Sequence, residues 1–306
     1  MKIVTYVTPE NLRNYALNTT EEAKDMVLTE ICLEASRDIE SMCSNRVFYP
    51  YKETKYFDHP ANRLERWTEL KLKDDLLQVT ALTTNEGATA ISSGDYFLRA
   101  GFSGRYDEPP YDRIQLEYAT TGYNTGFYWS STPQRANAVT GFWGYVPNWG
   151  TSVSSASCWI DSGATISGVT STTITLNSVA GVNALGLSPR VSPMSLIMWY
   201  DSDYADMEMG LVTAVDEGTN VLTVQRGVNG TSTDTPTGTP TLYVYNPPSD
   251  IVRATRALAA YYWRGRQTSR ADISRPIITA AGTVIEPSSY PRVITETVER
   301  YQSILE

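Results

Sequence analysis

Apolar residues recur at steps of three and four over residues 20–44, which is the spacing of an amphipathic helix. Thr19 and Glu22 have the spacing of a capping box at its start. The pattern stops at Arg46 and Pro50. The apolar stripe consists of Val27, Ile31, Ala35, Ile39 and Met42. We therefore predict one long N-terminal helix with this stripe buried against a sheet and a later helix.

From residue 53 to 145 the period changes to that of short strands separated by turn residues. A mostly antiparallel sheet, covered by the first helix, is the arrangement that this pattern favours. The predicted strands cover Thr68 to Leu72, Leu76 to Thr83, Tyr96 to Leu98, Asp112 to Tyr118 and Ala136 to Phe142.

Composition shifts near Gly150, because residues 151–177 hold thirteen Ser or Thr in twenty-seven positions. A second set of strands follows, separated by Gly, Asn and Pro as in a small barrel or sandwich. Asn229-Gly230 is a hairpin turn signal within it. The predicted strands cover Thr172 to Leu176, Leu196 to Tyr200, Leu211 to Val215, Val221 to Gln225 and Thr241 to Tyr245.

Helical periodicity returns over 249–265 and over 290–305, with Ser249 and Ser289 as candidate caps. The terminal helices need partners, so we predict an α+β fold with a discontinuous core. This core comprises one long N-terminal helix, a mostly antiparallel sheet and two C-terminal helices over 1–150 and 246–306. Residues 151–245 are predicted to be an inserted all-β barrel or sandwich.

Residue counts exclude several classes of site. One His and three Cys among 306 residues leave no His-rich zinc site, HExxH motif or four-Cys cluster within one chain. Cys32 and Cys43 lie about 16 Å apart along one predicted helix, too far for a disulfide. We expect reduced thiols in a protein made in a cytoplasm. Neither a signal-peptide pattern nor an eighteen-residue apolar stretch is present, which predicts no membrane contact.

Sequence motifs that would indicate a catalytic, metal-binding or phosphate-binding site are weak throughout the chain. His59 is expected in a surface loop, and Gly101-Phe102-Ser103-Gly104 does not have the GxSxG spacing. The segment Asp201 to Glu208 fails the EF-hand pattern at its fifth and sixth positions and is expected to be a solvated acidic loop. No phosphate-binding glycine motif occurs. We predict no catalytic residues, no cofactor, no metal and no enzymatic activity.

Charge is distributed unevenly along a chain whose net charge is −9. Residues 151–245 carry eight acidic side chains and two basic ones, whereas residues 253–275 carry six arginines against one acid. Arginine suits bidentate pairing with carboxylates or phosphates. The segment is therefore a candidate partner-binding surface, with a solvated helix face as the alternative. Its arginines are Arg253, Arg256, Arg264, Arg266, Arg270 and Arg275.

The linear pattern resembles the head–tail connector (adaptor) proteins of tailed bacteriophages. The segment Ala35 to Pro50 is similar to the family's first long helix with its Arg-x-Phe exit. Leu76 to Leu98 is similar to its "Leu-x-Val-x-x-Leu … Gly … Tyr-x-Leu" region. Arg113 to Leu116, Val139 to Tyr145 and two closing helices continue it in the same order. The segment 151–245 departs from the shorter members, although 221–231 is similar to a turn segment of varied phage structural proteins.

The resemblance implies a structural virion protein of the neck, between head and tail. It implies a homo-oligomeric ring, usually a dodecamer, that binds the portal protein on one side and a tail or neck protein on the other. DNA would pass through the channel without specific binding. Two alternatives remain: another tail or baseplate protein whose β domain binds a receptor or partner, and, more remotely, a carbohydrate-active enzyme with paired carboxylates.

Overall fold

The computed structural model describes much of the chain. The described residues are 3–14, 25–59, 68–100, 108–117, 126–150, 152–156, 158–267, 277–278, 284–285 and 290–302. They form a mixed α and β fold with four helices, a six-stranded sheet and a closed six-stranded barrel, besides a two-stranded ribbon. The helices are α1 (Pro9–Leu12), α2 (Asp25–Met42), α3 (Ser249–Gln267) and α4 (Arg292–Tyr301).

Helix α2 carries the predicted apolar stripe with one change. Ile31, Ala35 and Ile39 are fully buried, as predicted. Val27 is instead 36% exposed, and the neighbouring Leu28 takes its place in the core. The helix ends at Met42, and the two residues after Cys43 adopt positive φ, a conformation that stops helices. The predicted capping box at residues 19–22 lies outside the described residues.

The six-stranded sheet is antiparallel, in the order β1-β6-β2-β5-β4 with β3 paired to β2. The two strands predicted at 68–72 and 76–83 are one long strand, because the chain continues through a register shift between Lys71 and Leu76 without turning. Its strands are β1 (Tyr51–Phe57), β2 (Glu69–Thr84), β3 (Thr89–Ile91), β4 (Tyr96–Arg99), β5 (Tyr111–Leu116) and β6 (Asn137–Trp143).

The second β region closes into a barrel in the order β10-β11-β8-β7-β12-β9. Alternate side chains such as Ile166, Ile197 and Val212 fill its interior. Its strands are β7 (Trp159–Val169), β8 (Thr173–Leu176), β9 (Leu196–Trp199), β10 (Glu208–Asp216), β11 (Val221–Arg226) and β12 (Thr241–Tyr245). The two-stranded ribbon consists of β13 (Ile277–Ile278) and β14 (Val284–Ile285).

Asn229-Gly230 does not form the predicted hairpin. The strands around it, β11 and β12, do not pair with each other, and residues 228–230 form a 3-10 turn. This turn rests on the six-stranded sheet: the Asn229 side-chain amide donates a hydrogen bond to the Pro50 carbonyl at 3.1 Å. Because glycine has no side chain, Gly230 allows the barrel to approach the sheet closely at this point.

The barrel and the helices share one hydrophobic cluster. Strand β9 is buried on both faces: Ile197 and Trp199 point into the barrel, whereas Leu196 and Met198 join the cluster with α2 and α3. The cluster also includes residues of α4 and of the N-terminal segment. The division into a core and an inserted domain remains a prediction, but the barrel's outer face completes the core of the helices.

Gly230 provides a test of this contact. An ideal Cβ at 230 would lie 2.0 Å from the Lys52 carbonyl oxygen, and φ is +77°. We expect Gly230→Ala to lower the free energy of unfolding by about 2–4 kcal/mol, from steric overlap and left-handed strain together. Urea denaturation measures the loss.

Two other glycines separate these causes. Gly186 has φ +76° with nothing within 4 Å of an added Cβ, so its Ala variant reports strain alone. Gly238 has open space and no positive φ, so Gly238→Ala should change stability by less than about 0.5 kcal/mol. Equal losses at 230 and 186 would contradict a close approach to Lys52.

Candidate functional surface

His59 is a packed residue and not the predicted surface-loop residue. It is 5% exposed, and its Nε2 lies 2.6 Å from the Phe127 carbonyl oxygen. Its ring centroid is 4.3 Å from that of Trp129. Burial between these neighbours explains the one histidine of the chain as a packing residue. The segment 101–104 lies outside the described residues.

The three cysteines are buried and form no disulfides, as predicted. Burial raises the pKa of Cys32 and that of Cys158 to about 12, and that of Cys43 to about 11. Thiols with such pKa values are almost wholly protonated at neutral pH, so they are poor nucleophiles and poor metal ligands.

The acidic segment 201–208 uses its carboxylates for local structure. Asp203 accepts a hydrogen bond from the Ala205 backbone at 2.9 Å, and Asp201 accepts two from Thr237. Glu208 departs from the predicted solvated loop, because it is 1% exposed. Within the described residues no group of three or more His, Cys, Asp or Glu is arranged to hold a metal ion.

Glu208 forms a buried ion pair with Arg226 on the neighbouring strand. The Arg226 Nη2 lies 2.6 Å from Glu208 Oε2, and its Nε lies 2.8 Å from Oε1. The carboxylate also accepts hydrogen bonds from the backbone of Gly227 and Asp234. Because these donors satisfy both carboxylate oxygens, the pair holds the loop after β11 onto the barrel.

Glu86 is the carboxylate placed beside exposed aromatic residues. It accepts hydrogen bonds from the backbone of Thr132 at 2.8 Å and Ser131 at 3.1 Å, next to Trp129. These bonds, the one from Thr132 first, lower the pKa of Glu86 to about 2. A carboxyl with this pKa is ionised at neutral pH and is therefore a poor general acid for glycoside cleavage.

A cleft of about 700 Å³ opens where the end of α2 meets the sheet and the 228–230 turn. Four of its charged side chains form two ion pairs: Arg46 Nε lies 2.8 Å from Asp75, and Lys55 Nζ lies 2.6 Å from Asp74. These pairs leave little net charge for a ligand to neutralise.

The arginine-rich segment is described only in part. Arg253 and Arg264 are exposed on α3, and Arg256 is half-buried. Arg266 lies 3.4 Å from the carboxylates of both Glu30 and Glu34 on α2. These two ion pairs are exposed to solvent, so each contributes little to stability. Arg270 and Arg275 lie outside the described residues. The role of all six in partner binding stays a prediction.

One barrel loop exposes aliphatic side chains. Val182, Leu185 and Leu187 are 50–60% exposed between β8 and β9. The Asn183 side-chain oxygen accepts hydrogen bonds from the backbone of residues 185 and 187, which fixes the loop's shape. Arg190 donates to the Gly163 carbonyl and fastens the loop's far end to β7.

No protein-family model matches this chain, and no curated protein matches it. Across the described residues, every helix is too short or too polar to cross a membrane.

A double-mutant cycle tests the buried pair. Replacing Glu208 or Arg226 alone by Met leaves a buried charge without its partner, which costs about 3–5 kcal/mol. We expect the double variant to be at least about 2 kcal/mol more stable than the sum of the single losses predicts. The matched control is Arg292 and Glu296, an exposed pair at 2.6 Å whose coupling should be below about 0.5 kcal/mol. Additive losses at 208 and 226 would refute the pairing.

The pH dependence of Glu86 has a defined sign. Its pKa is lowered, so the bonds to residues 130–132 are present above the ordinary value of 4.5 and are lost as the pH falls through about 2. In NMR titrations the Glu86 carboxyl should titrate near pH 2, and the Ser131 and Thr132 amides should shift with it. Glu86→Gln should remove this step; a midpoint near 4.5 in the native chain would disprove the arrangement.

Proposed function

We propose that this chain is a structural virion protein, a head–tail adaptor ring subunit that joins the portal vertex to the tail. In this proposal residues 1–150 and 246–306 form the connector core, and residues 151–245 are an insert. In it the chain assembles into a ring of twelve copies and has no enzymatic role.

The supporting observation is that helices from the N-terminal and C-terminal parts of the chain contact each other. The Tyr262 hydroxyl of α3 donates to Asp38 of α2 at 2.6 Å. Arg46, just after α2, donates to the Tyr301 carbonyl of α4 at 3.1 Å. The order of long helix, antiparallel sheet and two closing helices is the order on which the resemblance to connector proteins depends.

Among the described residues, the side chains of the types most often used in catalysis are engaged in packing or in hydrogen bonds that stabilise the fold. His59 and the cysteines are buried, and the carboxylates of Glu208 and Glu86 are held by hydrogen bonds. An assembly protein requires shape, stability and complementary surfaces, and these are what such contacts supply.

A second candidate is a tail or baseplate protein whose barrel binds a receptor or another virion protein. The observation in its favour is the rigid loop that exposes Val182, Leu185 and Leu187, because exposed aliphatic clusters mark interaction sites. This candidate predicts a different assembly, such as a trimeric spike.

Imaging of the purified chain with portal-bearing heads tests the proposal. We expect negative-stain or cryo-electron microscopy to show a closed ring of about twelve subunits on the portal vertex. The Gly230→Ala variant serves as a control for reduced stability. At a temperature below the melting temperature of this variant, it should form the same ring on the heads as the wild type. A chain that binds no portal, or that forms trimeric spikes, would refute the adaptor role.

A further inference from the structure

The six-stranded sheet ends in two strands, β1 and β4, that each have a partner on one side. Among the residues that the structure describes, β1 pairs only with β6, and β4 pairs only with β5. The outer edge of such a strand is a template for another strand, and proteins usually block or cover it. The hydrogen bonds of the inner strands determine which backbone groups point outward at these two edges.

On β1 the outward-facing residues are Thr54 and Tyr56. The Thr140 carbonyl of β6 accepts a hydrogen bond from the Thr80 hydroxyl of β2, so the backbone groups of residue 140 point away from β1. Thr54 and Tyr56 lie opposite residues 140 and 138. Residues opposite each other in an antiparallel pair either bond each other or both turn away. The N–H and C=O groups of Thr54 and Tyr56 therefore point out of the sheet, and both residues are exposed.

The barrel turn 228–230 covers the start of this edge. Asn229 donates a hydrogen bond to the Pro50 carbonyl at 3.1 Å, and an ideal Cβ on Gly230 would lie 2.0 Å from the Lys52 carbonyl oxygen. A strand that adds to β1 must therefore bind beyond residue 52.

On β4 the outward-facing residues are Tyr96 and Leu98. The Glu117 N–H, directly after β5, donates to the Asp95 carbonyl at 2.8 Å, whereas the Leu116 N–H donates on the β2 side at 2.7 Å. The odd-numbered residues of β5 therefore bond the odd-numbered residues of β4, which lie opposite them. The N–H and C=O groups of Tyr96 and Leu98 consequently point outward.

Both edges expose an aromatic side chain on the same face of the sheet. Tyr56 is 52% exposed, and Phe97 is 44% exposed. The cluster that contains Val139 and Leu98 lies on one face of the sheet. Tyr56 lies opposite the neighbour of Val139, and Phe97 is the neighbour of Leu98. Because side chains alternate between the two faces, both aromatic rings belong to the other face.

We propose that the β4 edge of one copy adds to the β1 edge of the next copy, so that the sheet continues from subunit to subunit. The two strands run in the same direction, because four antiparallel pairings separate them. The addition is therefore a parallel pair, and it repeats head to tail. With Phe97 beside Tyr56, the backbone groups of Thr54 and Tyr56 meet those of Tyr96 and Leu98, beyond the barrel turn. The inference rests on the proposed function and deepens it, because an adaptor ring requires a heterologous contact.

Two-fold pairing of identical edges fits these observations less well. With Lys52 covered, a pair of β1 edges places Lys55 of one copy opposite Lys55 of the other, and like charges directly opposite are destabilising. A pair of β4 edges leaves the β1 edge open and Tyr56 exposed. Head-to-tail pairing uses both open edges and covers both aromatic side chains, which gain contact area when they meet.

Two single variants make opposite edges unsuitable for pairing. Tyr56→Glu places a carboxylate on the β1 edge, and Phe97→Glu places one on the β4 edge. Both side chains are exposed, so each variant should fold as the wild type does, as thermal melting followed by circular dichroism will show. Leu185→Glu is the matched control, because it makes the same change at an apolar side chain of the barrel that is 60% exposed.

Sedimentation velocity gives the first readout. We expect the wild type and Leu185→Glu to self-associate. Each edge variant alone should require at least about a tenfold higher concentration, because every contact would bury a carboxylate against an aromatic ring. An equimolar mixture of the two edge variants should form dimers and stop there. One contact joins the two unchanged edges, whereas the edges that remain open both carry glutamate.

Hydrogen exchange gives a second readout that needs no substitution. The backbone amides of Tyr56, Tyr96 and Leu98 should be protected in the wild-type assembly and should exchange rapidly in either edge variant alone. Unprotected amides in an assembled wild type would contradict strand pairing at these edges.

The possible outcomes separate this inference from the adaptor role. Edge variants that assemble as the wild type does, or a mixture that forms no dimers, would overturn the contact. Self-association of Tyr56→Glu but not of Phe97→Glu would overturn it in favour of paired β4 edges. A wild type that stays monomeric in solution overturns it as well. The adaptor role itself fails only if the wild type also forms no ring on portal-bearing heads.

Discussion

The fold depends on covering one apolar face of α2. That face contains Ile31, Ala35 and Ile39, all fully buried, and the groups that cover it come from distant parts of the chain. Helices α3 and α4 follow it by more than two hundred residues, and the N-terminal segment precedes it. A helix of eighteen residues gains most of its stability from such packing and little from intrinsic propensity. The core is therefore built from segments that lie far apart in the sequence.

Hydrogen bonds between buried polar groups make the contacts among these distant segments specific. The Tyr6 hydroxyl donates to the buried Glu40 of α2 and accepts a hydrogen bond from the Phe48 backbone at 2.9 Å. The pKa of Tyr6 is raised, mainly because the side chain is buried. The hydroxyl therefore stays protonated and can donate a hydrogen bond. From the barrel, Tyr245 donates to the Phe48 carbonyl at 2.6 Å. N-terminal segment, helix and barrel thus meet at one short stretch of chain, and a misplaced element leaves a buried polar group without its partner.

Local periodicity predicts most of the helices and strands here, and long-range contacts explain where it fails. The strand predicted over Leu196 to Tyr200 is present at Leu196–Trp199, and it is buried on both faces. Asn229-Gly230 has the right residues for a hairpin, yet its glycine serves a contact with Lys52, which is far away in sequence. His59 lies in a polar segment beside Asp58, so its burial against Phe127 and Trp129 has no local signal. The local sequence likewise does not predict the burial of Glu208, because its partner Arg226 lies on another strand.

Charge segregation is the sequence feature that local structure does not explain. The barrel's ion pair accounts for one of its eight carboxylates, and hydrogen bonds to Asp201, Asp203 and Asp216 reach these groups without neutralising them. Seven exposed like charges on one small barrel repel one another in the isolated chain, at a cost that salt reduces. On α3 the charge is met in part within the chain, because Arg266 pairs with Glu30 and Glu34 of α2. The fold therefore tolerates this distribution of charge, and the buried Glu208–Arg226 pair is the part of it that the packing of the barrel uses.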